Sequence, residues 1–65
     1  MPTIKVTVPK GTWSTDEKAE MVSGLTDAFV TVGANAGKGD ITPHVTVQIE
    51  ETAPGGYAVG GVVIA

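Results

Sequence analysis

The sequence predicts an α/β (α+β) fold in which one β-α-β unit is followed by a short C-terminal hairpin, as a single domain over residues 1–65 of an oligomer. Two segments alternate between polar and apolar residues with the period of a strand, and a segment between them repeats apolar residues at helical spacing. A chain of 65 residues is marginal as an independent fold. It contains no Cys and one His, so disulfides are excluded and a transition-metal cage is not expected. Association between copies is the remaining source of stability.

The first predicted strand covers residues 3–8. Its side chains divide between two faces, one carrying Ile4, Val6 and Val8 and the other Thr3, Lys5 and Thr7. Such alternation is typical of a strand with one buried face. Pro9 and Gly11 interrupt the pattern, because proline lacks an N–H and glycine permits a turn.

The predicted helix begins after Ser14 and ends at about Val32. Ser14 and Glu17 have the spacing of a capping box, in which each residue's side chain binds the backbone N–H of the other. Apolar residues then recur three and four apart and predict one buried stripe, made of Val22, Leu25, Phe29 and Val32 with Ala19 and Ala28. We expect Gly33, Gly37 and Gly39 to end the helix and to open a flexible loop that extends through Asp40.

A second alternating segment, residues 44–50, predicts the second strand, with His44 at its start. Strand, helix and strand in this order predict a right-handed crossover and a parallel pair. One helix covers only one face of a sheet, so we expect another subunit to cover the other face.

The tail, residues 52–65, contains two Gly-Gly pairs and ends in apolar residues. The glycine pairs indicate tight turns. We interpret the tail as a short hairpin or arm that pairs with an edge strand of a neighbouring subunit.

Composition excludes several functions. The formal net charge is −3, there is no Arg, and four scattered Lys form no basic stripe, so a nucleic-acid partner is not expected. No apolar run approaches the roughly 20 residues of a membrane span, and the N-terminus does not resemble a signal peptide. The expected location is therefore cytoplasmic, with no membrane partner.

The N-terminal residues 1–8, Met-Pro-Thr-Ile-Lys-Val-Thr-Val, resemble those of the tautomerase superfamily, specifically its small 4-oxalocrotonate tautomerase-like subunits. The likeness continues at Gly11, at the Ser-x-x-Glu helix start and at residues 45–47, and it ends with the glycine-punctuated segment 51–61. It covers nearly the whole chain. The resemblance implies a β-α-β tautomerase fold and self-association, with a homohexamer (a trimer of dimers) favoured over a trimer.

The resemblance also implies a catalytic residue, Pro2. In this family the initiator Met is removed, and the terminal proline nitrogen moves a proton within an enol or keto acid without a cofactor. A proline nitrogen is basic only at a chain terminus, because within the chain it is an amide. A free α-amino group titrates near roughly 7.7–8.0, and an apolar site lowers that pKa because the charged form loses hydration. General-base catalysis near neutral pH is then efficient.

The sequence departs from the family at two arginines that bind the carboxylates of a diacid substrate. The first position is occupied by Thr12 or Trp13, and the second by Thr46. Without Arg there is no bidentate carboxylate fork, so efficient turnover of a diacid is not expected. The family's tail aromatic residue is matched by Tyr57, a candidate pocket wall.

Other residues are candidates for the missing contacts. Lys10, Lys5 and His44 are the candidate cations, although each also fits a solvent-exposed role. Trp13 is either a hydrophobic staple on the helix start or a pocket wall. Thr46 is either a strand residue without further function or a hydroxyl donor to a substrate oxygen.

These observations predict a cofactor-independent isomerase that acts on a small enol or unsaturated keto acid. Two alternatives remain open. One is a catalytically silent binding or structural oligomer, which a retained Met1 would favour. The other is a subunit that pairs with a different, arginine-bearing chain.

Overall fold

The computed structural model describes residues 1–65. Strand β1 covers Thr3–Val8, helix α1 covers Thr15–Asn35 and strand β2 covers Thr46–Glu51. Two short strands follow, β3 at Ala58–Val59 and β4 at Val62–Val63. The β-α-β order predicted from the sequence is confirmed.

Strands β1 and β2 form a parallel pair. Their register runs from Thr3 opposite Thr46 to Val8 opposite Glu51. The alternation predicted for β1 is confirmed, because its apolar residues are buried or half-buried and its polar residues are exposed. The polar face carries an ion pair of 3.8 Å between Lys5 Nζ and a Glu50 carboxylate oxygen.

The start of α1 is the predicted capping box. The Ser14 hydroxyl accepts from the Glu17 amide at 3.1 Å, and the Glu17 carboxylate accepts from the Ser14 amide at 2.8 Å. The hydrogen bond that the Ser14 amide donates favours the charged carboxylate and is the largest cause that lowers the pKa of Glu17. A second carboxylate fixes the preceding loop to the sheet, since Glu51 accepts from the Gly11 amide at 3.0 Å and lies 3.1 Å from Lys18 Nζ.

The end of α1 differs from the prediction. The helix continues through Gly33 to Asn35, because Gly33 packs closely against the Ile41 side chain. A Cβ at Gly33 would lie 2.7 Å from Ile41 Cδ1, so this glycine permits a close approach rather than ending the helix. Gly37, with φ +76°, follows the true C-terminus. The Gly37 amide donates to the Ala34 carbonyl and the Lys38 amide to the Gly33 carbonyl, as in a Schellman motif.

The start of the second strand was also predicted wrongly. His44 lies in a 3₁₀ turn, Thr42–His44, and β2 begins at Thr46. The Asp40 carboxylate accepts hydrogen bonds from the Thr42 amide at 3.0 Å and from the Thr42 hydroxyl at 2.5 Å. This local side-chain bonding favours a turn over an extended strand.

The tail forms the predicted hairpin, in which β3 and β4 are antiparallel and form a sheet separate from β1 and β2. Its turn residues, Gly60 and Gly61, both have positive φ, as a two-residue type I′ turn requires. The hairpin pairs within its own chain. Pairing of the tail with another subunit stays a prediction.

The chain buries very little of itself. Only two of the 65 residues, Val8 and Gly33, are buried. The predicted helix stripe is wrong in most of its members: only Leu25 is half-buried, whereas Ala19, Val22, Ala28, Phe29 and Val32 are exposed. The other half-buried apolar residues of α1 are Met21 and Val30, because a two-stranded sheet is too narrow to cover every apolar residue of the helix. The uncovered apolar surface therefore lies on the helix and the tail, whereas the far face of the sheet is polar and exposed at Thr3, Lys5 and Thr7.

Candidate active site

One cavity of ≈ 420 Å³ lies beside the start of β1. Seven residues line it: Pro2, Phe29, Val32, Gly33, Ala36, Lys38 and Ile41. Its volume is within the range of about 300–1,000 Å³ that is usual for small-molecule sites. The cavity forms where the N-terminus, the last turns of α1 and the residue before the 3₁₀ turn meet.

The backbone of Pro2 is held by the sheet. Its carbonyl accepts a hydrogen bond of 3.0 Å from the Thr46 amide, which extends the β1–β2 ladder by one residue. Pro2 has no N–H to contribute, so the ladder leaves its nitrogen uncommitted. The residue is half-buried. It shares the side of β1 that carries the half-buried Ile4 and Val6 and the buried Val8.

Met1 precedes Pro2 and is 89% exposed. The Pro2 nitrogen is therefore an amide in this structure. Met1 extends into solvent and does not line the cavity.

The other predicted site residues lie elsewhere in this chain. Lys10 and Thr12 are exposed in the turn after β1, and Trp13, 40% exposed, precedes the helix cap. The Thr46 side chain is on the sheet face of its partner Thr3, opposite to Pro2. Tyr57 is half-buried at the base of the tail hairpin, where its carbonyl accepts from Ile64 and Ala65. Of the predicted site residues, only Pro2 therefore lines the cavity within one chain.

The other cavity residues are not evident from the sequence alone. Phe29 and Val32 were assigned to the core stripe, Gly33 to the helix end and Lys38 to the loop. Their spacing places Phe29, Val32 and Gly33 on one face of α1, and Ala36, the C-cap residue, continues that face. The pattern indicates a shared surface only when the helix is extended past Gly33.

The structure contains no metal-binding group of side chains: no cluster of three or more His, Asp or Glu could hold an ion. No helix is long and apolar enough to cross a membrane. The cavity surface is apolar, and a proline near the chain terminus lines its wall.

A sequence model of the family described as "Tautomerase enzyme" matches residues 2–65. The chain belongs to the tautomerase family. Neither the curated proteins nor the solved structures contain a match to it. Tautomerases are generally isomerase-type enzymes, and members of the family are typically small oligomers. The matched range begins at Pro2, which is one of the seven residues that line the cavity.

Proposed function

We propose that this tautomerase catalyses a cofactor-independent keto–enol isomerisation in which the Pro2 nitrogen, freed by removal of Met1, is the general base. The observation that carries the proposal is the position of Pro2. It is half-buried, its backbone is held by the sheet, and it lines an apolar cavity of ≈ 420 Å³.

The proposed reaction moves one proton. The neutral nitrogen first accepts the hydroxyl proton of the enol, and the O–H electrons remain on the oxygen. The protonated nitrogen then donates a proton to carbon, where the C=C π electrons form the new C–H bond while the oxygen electrons form the carbonyl. The amine returns to its neutral form, and the net reaction is enol to ketone. The apolar side chains of Phe29, Val32 and Ile41 would favour the neutral nitrogen, because an ammonium loses hydration beside them.

We propose that the substrate is a small enol or unsaturated keto acid with fewer negative charges than a dicarboxylate. The chain contains no Arg, so it has no guanidinium fork for two carboxylates. The cavity wall is formed mainly by apolar residues, which favours an apolar substituent.

We also propose that the working enzyme is a homohexamer, a trimer of dimers. A chain with two buried residues and exposed Val59, Val62 and Ile64 gains most of its apolar burial from other copies. In such an assembly, the predicted site residues that lie away from the cavity in one chain are available to the cavity of a neighbour. These are Lys10, Thr12, Trp13, Thr46 and Tyr57.

A matched pair of proline variants tests the role of Pro2. The activity is the ketonisation of phenylenolpyruvate, a monocarboxylate enol, followed by its ultraviolet absorbance. We expect Pro2→Ala to lower kcat/KM by about 100-fold or more, the range for loss of a general base. Pro54→Ala, in an exposed part of the tail, should keep wild-type activity. Wild-type activity in Pro2→Ala would remove Pro2 from the mechanism.

The second candidate function is a silent binding or structural oligomer. The absence of Arg favours it, and retention of Met1 in the native protein would favour it further. If the native protein keeps Met1 and does not ketonise phenylenolpyruvate, this function replaces the first. Co-purification of a similar, arginine-bearing chain that restores activity would instead indicate a hetero-oligomer.

A further inference from the structure

Gly33 lies inside α1, where a glycine is less stable than an alanine. It is nevertheless buried, and it lines the Pro2 cavity together with Ile41. A Cβ at Gly33 would lie 2.7 Å from Ile41 Cδ1 and 3.2 Å from Ile41 Cγ1. The absence of a side chain at Gly33 therefore makes the space that the Ile41 side chain occupies.

The backbone of Ile41 is held in place by its neighbours. The Asp40 carboxylate accepts a hydrogen bond from the Thr42 amide at 3.0 Å, and the Ile41 carbonyl accepts one from the His44 amide at 2.8 Å. Gly33 is itself part of the hydrogen-bonded helix. Because both backbones are held, a change of size at either residue has to be accommodated by side chains, in the cavity that the two residues line.

The cavity is large enough for an aromatic ring. An apolar cavity of about 150 Å³ is sufficient to bind benzene. The Pro2 cavity has a volume of ≈ 420 Å³ and an apolar surface. Transfer of apolar groups from water into such a site is favourable in proportion to the area that they bury. A ring with small apolar substituents therefore suits it.

We infer that Gly33 and Ile41 together set the size of the apolar body that binds in the Pro2 cavity. A methyl group added at Gly33 would displace Ile41 Cδ1 and take up cavity space, whereas Ile41→Val would remove Cδ1 and enlarge the cavity. The identity of that body as the aryl substituent of an enol rests on the proposed function. The size limit itself does not.

Two neutral ligands that differ by one methyl group test the inference apart from catalysis. Benzyl alcohol and 4-methylbenzyl alcohol are titrated against the full chain, and NMR shifts of the Phe29 ring and the Val32 methyl groups report binding. We expect Gly33→Ala to lower the preference for 4-methylbenzyl alcohol over benzyl alcohol by about tenfold, the effect of one methylene in an apolar pocket. Ile41→Val should raise that preference by about fourfold.

Two further variants separate cavity size from helix packing. Gly33→Ala combined with Ile41→Val removes the atom closest to the added Cβ, so the preference should return to within about threefold of wild type, as expected for two residues in contact. Gly24→Ala makes the same change at a position of α1 where a Cβ would meet no atom within 4 Å, and it should leave the preference unchanged. The same preference in wild type, Gly33→Ala and Ile41→Val would overturn the inference, as would an absence of shifts in wild type with both alcohols.

Activity assays separate this inference from the proposed function. The substrates are phenylenolpyruvate and its 4-methyl derivative. Gly33→Ala should lower kcat/KM for the derivative about tenfold more than for the parent compound, whereas Pro2→Ala should lower both equally. A binding preference that changes as expected in a chain without ketonisation activity would support the size limit and reject the proposed function. Pro2-dependent activity with equal preferences in wild type and both cavity variants would overturn the size limit and leave the proposed function intact.

Discussion

The two ends of this chain contain similar apolar residues in opposite environments. At the N-terminal end, β1 pairs with β2 within the β-α-β unit, and Val8 is only 8% exposed. At the C-terminal end, β3 and β4 pair with each other alone, and Val62 is 68% exposed. Valine is thus buried within the β-α-β unit at one end of the chain and exposed in the tail hairpin at the other.

The difference indicates which contacts the chain completes by itself. The β-α-β unit fixes the cavity and the position of Pro2 through contacts within one copy. The tail forms a hairpin, but no other part of the same chain covers its apolar side chains. Three predictions follow the contrast from the strongest effect to the weakest.

The strongest effect is expected from charges placed in the tail. If other copies cover its apolar surface, Val62→Asp combined with Ile64→Asp should convert the assembly into monomers of 6.6 kDa. The mass is measured by size-exclusion chromatography with light scattering. Ser23→Asp, a charge at an exposed helix position, is the control and should keep the oligomeric mass. An unchanged mass for the tail variant would show that the tail is not an interface.

A weaker effect is expected from shortening a valine at either end. Val8→Ala removes buried methyl groups and should lower the free energy of unfolding by about 2 kcal/mol. Val63→Ala, at 59% exposure, should act mainly through assembly, so its loss of Tm should grow as the protein is diluted. Thermal unfolding at several protein concentrations distinguishes the two. A Tm loss in Val63→Ala that does not depend on concentration would contradict the contrast.

The weakest effect concerns the helix cap. Ser14→Ala removes one half of the capping box and should lower the free energy of unfolding by about 1 kcal/mol. Ser23→Ala, within the exposed part of α1, should be neutral or stabilising by a few tenths of a kcal/mol, because alanine is the better helix former. Urea unfolding measures both. Equal losses in the two variants would show that the cap is not a special contact.

The predictable parts of the fold are those determined by local sequence. The alternation of β1 and the Ser14–Glu17 box depend on residues within a few positions of each other, and both are as predicted. The end of α1 was not predictable in this way, because Gly33 stays helical through its contact with Ile41, eight positions later. The cavity was not predictable for the same reason, because Lys38 lines it only through the turn that ends the longer helix.

The candidate site likewise has one part that was predictable from the sequence and one part that was not. Pro2 was predicted from the family resemblance, and the structure places it in a cavity wall. The five other predicted site residues are set by family positions, and in a single chain none of them lines that wall, although the Thr46 amide donates a hydrogen bond to the Pro2 carbonyl. Their contribution depends on how copies associate, which neither periodicity nor spacing in one sequence can determine.

Intact-mass spectrometry of the native protein, before and after reaction with propiolate, tests the central claim most directly. The account predicts a mass that lacks Met1, one propiolate adduct per chain, and peptide mapping that locates the adduct on the Pro2 nitrogen. A native mass that includes Met1, or a processed chain whose Pro2 does not react with propiolate, would contradict the assignment of Pro2 as the base.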